Sequence, residues 1–148
     1  MSLKDRISSD MKEAMKARDQ LRVDALRSAL SGFIYKKTES GGRAELSDDD
    51  ELEVVRRQVK QRNDSISEFS KAGRLELAEK ETKERDILEA YLPAQKSPDE
   101  IRSIVQNALG EIPAEARSQG AVMKAVMPAL RNLADGNLVR KIVLEELA

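Results

Sequence analysis

Four consecutive acids, Asp48-Asp49-Asp50-Glu51, first invite a chemical reading, because magnesium is held by carboxylate oxygens. Neighbouring residues of a helix point roughly 100° apart, so these four do not converge on one ion. Ser47 just before them gives the simpler reading: a hydroxyl that caps free amide groups, then acids at the positive end of a helix dipole. The chain contains no histidine, cysteine or tryptophan. That removes the common zinc sites, disulfides, thiol nucleophiles and an imidazole base. No nucleophile elbow surrounds any serine, and the glycines fit neither a phosphate loop nor a dinucleotide fingerprint. A catalytic carboxylate pair needs two groups facing one cleft, and spacing selects none. The residues nominate no catalytic group, no metal ligand and no cofactor.

Arg56-Arg57-Gln58-Val59-Lys60-Gln61-Arg62-Asn63 offers a different chemistry: four cations and three neutral amides without an acid. On a helix, Arg56, Lys60 and Asn63 fall one turn apart on one face, with Arg57 and Gln61 beside them. Such a strip suits phosphates, which need cations and hydrogen-bond donors. The alternative is a solvated face paired with neighbouring acids, the commoner use of a charged helix. Arg22 and Arg27 border an apolar stripe, where a half-buried arginine calls for a carboxylate partner.

The elements that would position these residues read as helices throughout. The chain has 148 residues, with 26 basic and 27 acidic side chains, 36% charged residues and only 3% aromatic ones. Its core must therefore be aliphatic and its surface densely charged, and a net charge of −1 withholds the strongly basic signature of many nucleic-acid binders. Leu3, Ile7, Met11, Ala14 and Met15 recur at helical spacing, and Val23, Leu26, Leu30, Phe33 and Ile34 continue it. One long helix or two would satisfy this pattern; Asp19 as a cap favours two. Ser40-Gly41-Gly42 marks a loop. A long helix then runs from Ser47 to about Ala72 with Leu52, Val55, Val59, Ile66 and Phe69 inward. Arg62 interrupts that seam, so its stem is expected over the core with its head in water. Gly73 ends the helix. Another helix follows from about Arg74 to Tyr91, with Leu75, Leu77, Ala78, Ile87 and Leu88 inward. Pairs such as Glu79–Lys83 and Glu81–Arg85 support its solvated face.

Composition changes after Leu92. Residues 1–92 carry 19 basic and 20 acidic side chains, residues 93–148 seven of each, and 93–98 reads as a linker. Ser97-Pro98-Asp99-Glu100 combines a cap, a proline in the first turn and a glutamate three after the cap. Ile101, Ile104, Val105, Ala108 and Leu109 form the buried stripe of that helix, which Gly110 should stop. A helix beginning near Ser118 should bend or end early at Pro128, and Asp135-Gly136 opens the last one. The reading is all-α: an N-terminal bundle of about four helices over 1–92, then a small three-helix domain over 93–148. No apolar run approaches the ~18 residues of a membrane span, and Met1 to Arg6 lacks the apolar core of a secretory signal. The expected location is the cytoplasm, with no membrane partner.

Arg56 through Gly73, Glu89-Ala90-Tyr91-Leu92-Pro93, Gly120-Ala121-Val122-Met123-Lys124 and Ala134-Asp135-Gly136 together resemble the YqeY family over essentially the whole chain. That domain is similar to the tail of the B subunit of the tRNA-dependent Asp/Glu amidotransferase. The resemblance implies the same two helical parts and a link to tRNA. In the large enzyme the tail helps hold the tRNA body, while ATP and glutamine chemistry belong to domains that this sequence lacks. The surface it implies lies around Gly120, with Lys124, Arg131, Arg140 and Lys141 as the nearby cations; Arg56, Arg57 and Lys60, read from the residues themselves, form a second strip. Ala121, Leu133 and Asn137 stand where related chains often carry a cation, which thins the patch. The first functional expectation is a non-catalytic accessory module contacting tRNA or an amidotransferase-like partner. A protein–protein adaptor unrelated to RNA comes second, and a carbon–nitrogen ligase with glutamine as amido-N donor third.

Overall fold

The computed structural model describes residues 1–42 and 44–148, which divide into two compact units, Met1–Leu92 and Pro93–Ala148. Among the described residues there are seven α-helices, one short 3-10 turn and no strand, an all-α chain.

The first unit contains α1 (Leu3–Lys16), α2 (Gln20–Glu39), α3 (Asp48–Lys71) and α4 (Leu75–Glu89). Two helices, not one, fill the first forty residues. Arg18 turns left-handed at φ 57°, the Asp19 N–H reaches back to the Ala14 carbonyl, and the Asp19 carboxylate takes the Arg22 N–H at 3.2 Å. Gly73 (φ 73°) closes α3 in the same manner, with the Arg74 N–H donating to the Phe69 carbonyl at 2.8 Å. The left-handed backbone there suits a residue without Cβ, and it lets α4 fold directly back along α3. Ser47 and Asp50 form a reciprocal capping box at the head of α3.

Ile7, Leu26, Phe33, Val55 and Leu88 are the fully enclosed centre of this unit. Gly32, inside α2, explains how closely α2 and α3 approach: a Cβ there would meet Gln58 Nε2 at 2.5 Å and Val54 Cγ1 at 2.7 Å. Several expected core residues lie elsewhere. Met15, Ile34, Leu75 and Leu77 are exposed, and Ile66 and Phe69 are half-buried outside the shared core. The shared core ends at Val59 on α3 and Leu88 on α4, so the distal α3–α4 hairpin contributes no residue to it.

Charged residues depart furthest from expectation. The Arg62 head does not reach out to water: it turns inward to the Glu84 carboxylate, which is buried, and to Glu81 at 3.2 Å. Glu81 is thereby diverted from Arg85, which donates instead to Asn63 on α3 and to Asp86. Arg27 is exposed rather than half-buried, and reaches Asp24 at 4.0 Å in the open. Such a contact contributes little to stability.

Glu51 is the one acid of the 48–51 run that is buried, and its carboxylate accepts the Lys4 N–H at 3.4 Å, at the head of α1. Burial pushes its carboxyl above the ordinary value, so ionised Glu51 opposes folding. Stability from this group is full at acid pH and is lost as pH rises through the raised value. Glu51→Gln keeps the acceptor without the charge. It should melt higher than the unaltered chain at neutral pH, with the advantage vanishing below about pH 4, where the unfolded carboxyl is also protonated.

Tyr91 is buried at the end of α4, donates its hydroxyl to the Asp10 carboxylate, and lies 5.5 Å beneath the Arg6 guanidinium. Burial, then Asp10, pushes the phenol from 10.0 up to about 12. Because the folded state holds this proton longer, the contribution is complete below pH 10 and lost between there and about pH 12. Tyr91→Phe should cost about 1 kcal/mol at neutral pH. The difference in unfolding free energy between the two chains should shrink over that alkaline range.

The second unit contains α5 (Pro98–Glu111), a 3-10 turn at Ala114–Ala116, α6 (Gln119–Leu130) and α7 (Gly136–Leu147). Ser97 and Glu100 form the capping box of α5. That helix passes Gly110 by one residue, and α6 runs through Pro128 to Leu130. Proline lacks the N–H that would bond the Lys124 carbonyl, yet its fixed φ remains helical this close to the end. Ile101, Val105, Val122, Leu130, Val139 and Ile142 build the core. Arg102 fastens α5 to α7 through Glu145 and Glu146, at 2.7 Å each.

Candidate nucleic-acid interface

Seven cations lie in the second unit. Lys96 reaches Glu100 at 3.7 Å, Arg102 holds Glu145 and Glu146, and the Arg117 side chain donates to the Ile112 carbonyl at 3.0 Å. The other four are the ones singled out from the sequence. Lys124 is exposed on α6, Arg131 is exposed at the C-cap of α6, and Arg140 and Lys141 are exposed on α7. Lys124 follows Gly120 by one helical turn and so shares its face.

The two helix starts differ electrically. Ser118 caps α6 with a neutral hydroxyl that accepts the Ala121 N–H at 3.1 Å. Gly120, exposed in the first turn, faces solvent there without a nearby carboxylate cap. Asp135 caps α7 by accepting the Asn137 N–H at 3.0 Å, and its negative charge opposes an anion at that end. The α6 start therefore suits a phosphate better than the α7 start.

On α3 the expected strip divides. Arg57 and Gln61 line a groove against α2, Lys60 is exposed, and Asn63 accepts from Arg85 of α4 at 2.9 Å. Arg56 is half-buried with its Nε enclosed and without a hydrogen-bond partner among the described residues. Sequence reasoning missed the α2 wall of that groove, including Tyr35, which is 67% exposed, and Gly32. The signal was present: a glycine inside a helix, then Phe33-Ile34-Tyr35, three adjacent apolar residues that one helix cannot bury together. Among the described residues no cluster of acids is arranged to hold a metal ion, and no helix is long and apolar enough to cross a membrane.

The all-helical fold is the one expected of the family that the motifs resemble. Residues 4–147 match the family described as Yqey-like protein, and the chain belongs to that family. Its relatives include "Altered inheritance of mitochondria protein 41, mitochondrial" of Lachancea thermotolerans, 36% identical over 72% of this chain and 57% of the relative. The protein of the same name from Pyrenophora tritici-repentis is 29% identical over 95% of this chain and 78% of the relative. That from Saccharomyces cerevisiae is 31% identical over 82% and 66% respectively. The chain thus spans little more than half the length of the Lachancea protein. These names overturn the cytoplasmic expectation, since the relatives are called mitochondrial. Its ground was the charged stretch Met1 to Arg6, which speaks against a secretory apolar core and says nothing about organelles.

Proposed function

We propose that this chain is a non-catalytic helical docking module whose second unit contacts tRNA through Gly120, Lys124, Arg131, Arg140 and Lys141. An amidotransferase-like assembly is the protein partner consistent with that role. The observation that carries the reading is that Lys124 on α6, Arg131 at its C-cap, and Arg140 and Lys141 on α7 are all exposed on one compact unit.

Four cations meeting phosphates predict a steep salt dependence, with log affinity falling against log salt at a slope of roughly −3. Filter binding of the full chain to unmodified tRNA over a salt series reads this directly. A slope near zero, or no binding at low salt, removes the proposal.

The adaptor reading has one observation in its favour: Ile34, Leu75 and Leu77 are exposed on the first unit. It calls for a stoichiometric protein partner whose binding is lost when Leu75 and Leu77 are replaced by serine and is indifferent to ribonuclease.

A further inference from the structure

We propose that the groove between α2 and α3 holds an unpaired nucleotide of a single-stranded RNA segment, its base stacked on Tyr35 and its phosphate on Arg57. The proposal extends the RNA-contact reading to the first unit and rests on it. The groove encloses about 440 Å³, ample for one nucleotide. Tyr35 is the one exposed aromatic of the described residues, and its ring belongs to the groove wall instead of the core. Stacking platforms for bases are built from such exposed rings.

The polar groups are sorted along the groove. Gln58 donates to the Ser28 carbonyl at 2.9 Å and Lys36 meets Glu53 at 3.8 Å, so α2 and α3 run antiparallel. The acids Glu39 and Glu53 therefore lie at the C-terminal end of α2, where Lys36 offsets Glu53. Arg57, Gln61, Ser28 and Ser31 lie toward the other end, which lacks an acid. Arg57 makes no ion pair among the described residues, and its neighbour Lys60 is exposed. Past Gln61 the groove continues into a second hollow of about 210 Å³, where Arg62 and Ser65 join Ser28, Gln58 and Gln61. From Glu53 to Ser65 the path is roughly 18 Å at 1.5 Å per residue, the span of two or three nucleotides. The Gln61 amide, the Ser31 hydroxyl and the Arg57 cation on one side of a ring match the base and backbone of an RNA strand.

The test uses the full chain with fluorescein-labelled ten-nucleotide oligoadenylate, unmodified tRNA and AMP as competitor. Tyr35→Leu should weaken oligomer binding at least about fivefold with the salt slope unchanged, while Tyr35→Phe binds as the unaltered chain. Arg57→Gln should weaken binding and reduce the slope by about 0.7. Both side chains are exposed, so melting temperature should stay unchanged in all three. The inference is overturned if Tyr35→Leu binds like Tyr35→Phe, or if AMP displaces the oligomer at equal nucleotide concentration, which would assign the groove to a free nucleotide. Unaltered tRNA binding with groove variants that change nothing defeats this inference and leaves the proposed function standing. Absence of both tRNA and oligomer binding defeats both.

Discussion

Arg62→Met is expected to destabilise the first unit by about 3 kcal/mol, because it strands a buried carboxylate. Methionine replaces the stem that Arg62 lays along the α3–α4 seam but supplies no donor for Glu84, which is only 6% exposed. The partly open Glu81 can rehydrate, whereas Glu84 must stay ionised in a poor solvent, take up a proton, or open the hairpin. Urea unfolding followed by tyrosine fluorescence reads this unit by itself, since both tyrosines lie within residues 1–92 and the chain has no tryptophan. Adding Glu84→Leu to Arg62→Met should recover most of the loss, since an apolar pair can replace a buried ion pair at little cost. A single-variant loss under about 0.5 kcal/mol would mean that the pair is hydrated in solution.

Replacing Lys124, Arg131, Arg140 and Lys141 together by alanine should lower tRNA affinity roughly a thousandfold, taking about 1 kcal/mol for each charged contact. All four side chains are exposed, and none belongs to the core of the second unit. The circular dichroism and melting of the variant should therefore match the unaltered chain, separating lost contacts from lost structure. The salt slope should flatten in parallel, because each phosphate contact carries its own counterion release. If this variant binds normally and replacing Arg56, Arg57 and Lys60 abolishes binding, α3 is the docking surface instead.

The helix starts were legible because capping is local. Ser47 with Asp50 and Ser97 with Glu100 are each three residues apart, and both boxes form. Gly73 was legible as a terminator because few other residues accept its φ of 73° at no steric cost. Arg62 was only half legible. Its intrusion into an apolar seam showed in the spacing, but its partner Glu84 stands 22 residues away on another helix. Glu84 itself looked like one more acid on a solvated face. The exposure of Leu75 and Leu77 was hidden for a related reason: periodicity says which residues share a face, and only tertiary packing says how far the core extends beneath it. In the candidate interface, the four cations of the second unit could be named from sequence. That Arg102 is occupied could not, because it meets acids more than forty residues away.

We propose a chain that docks onto tRNA and makes no bonds of its own. Ultraviolet crosslinking in cells producing the full chain, followed by sequencing of the attached RNA and mapping of the attached peptide, decides the matter. tRNA should be enriched over other RNA and joined to peptides covering residues 119–141. RNA at background level, or tRNA attached only to peptides outside that range and outside the α2–α3 groove, would contradict it.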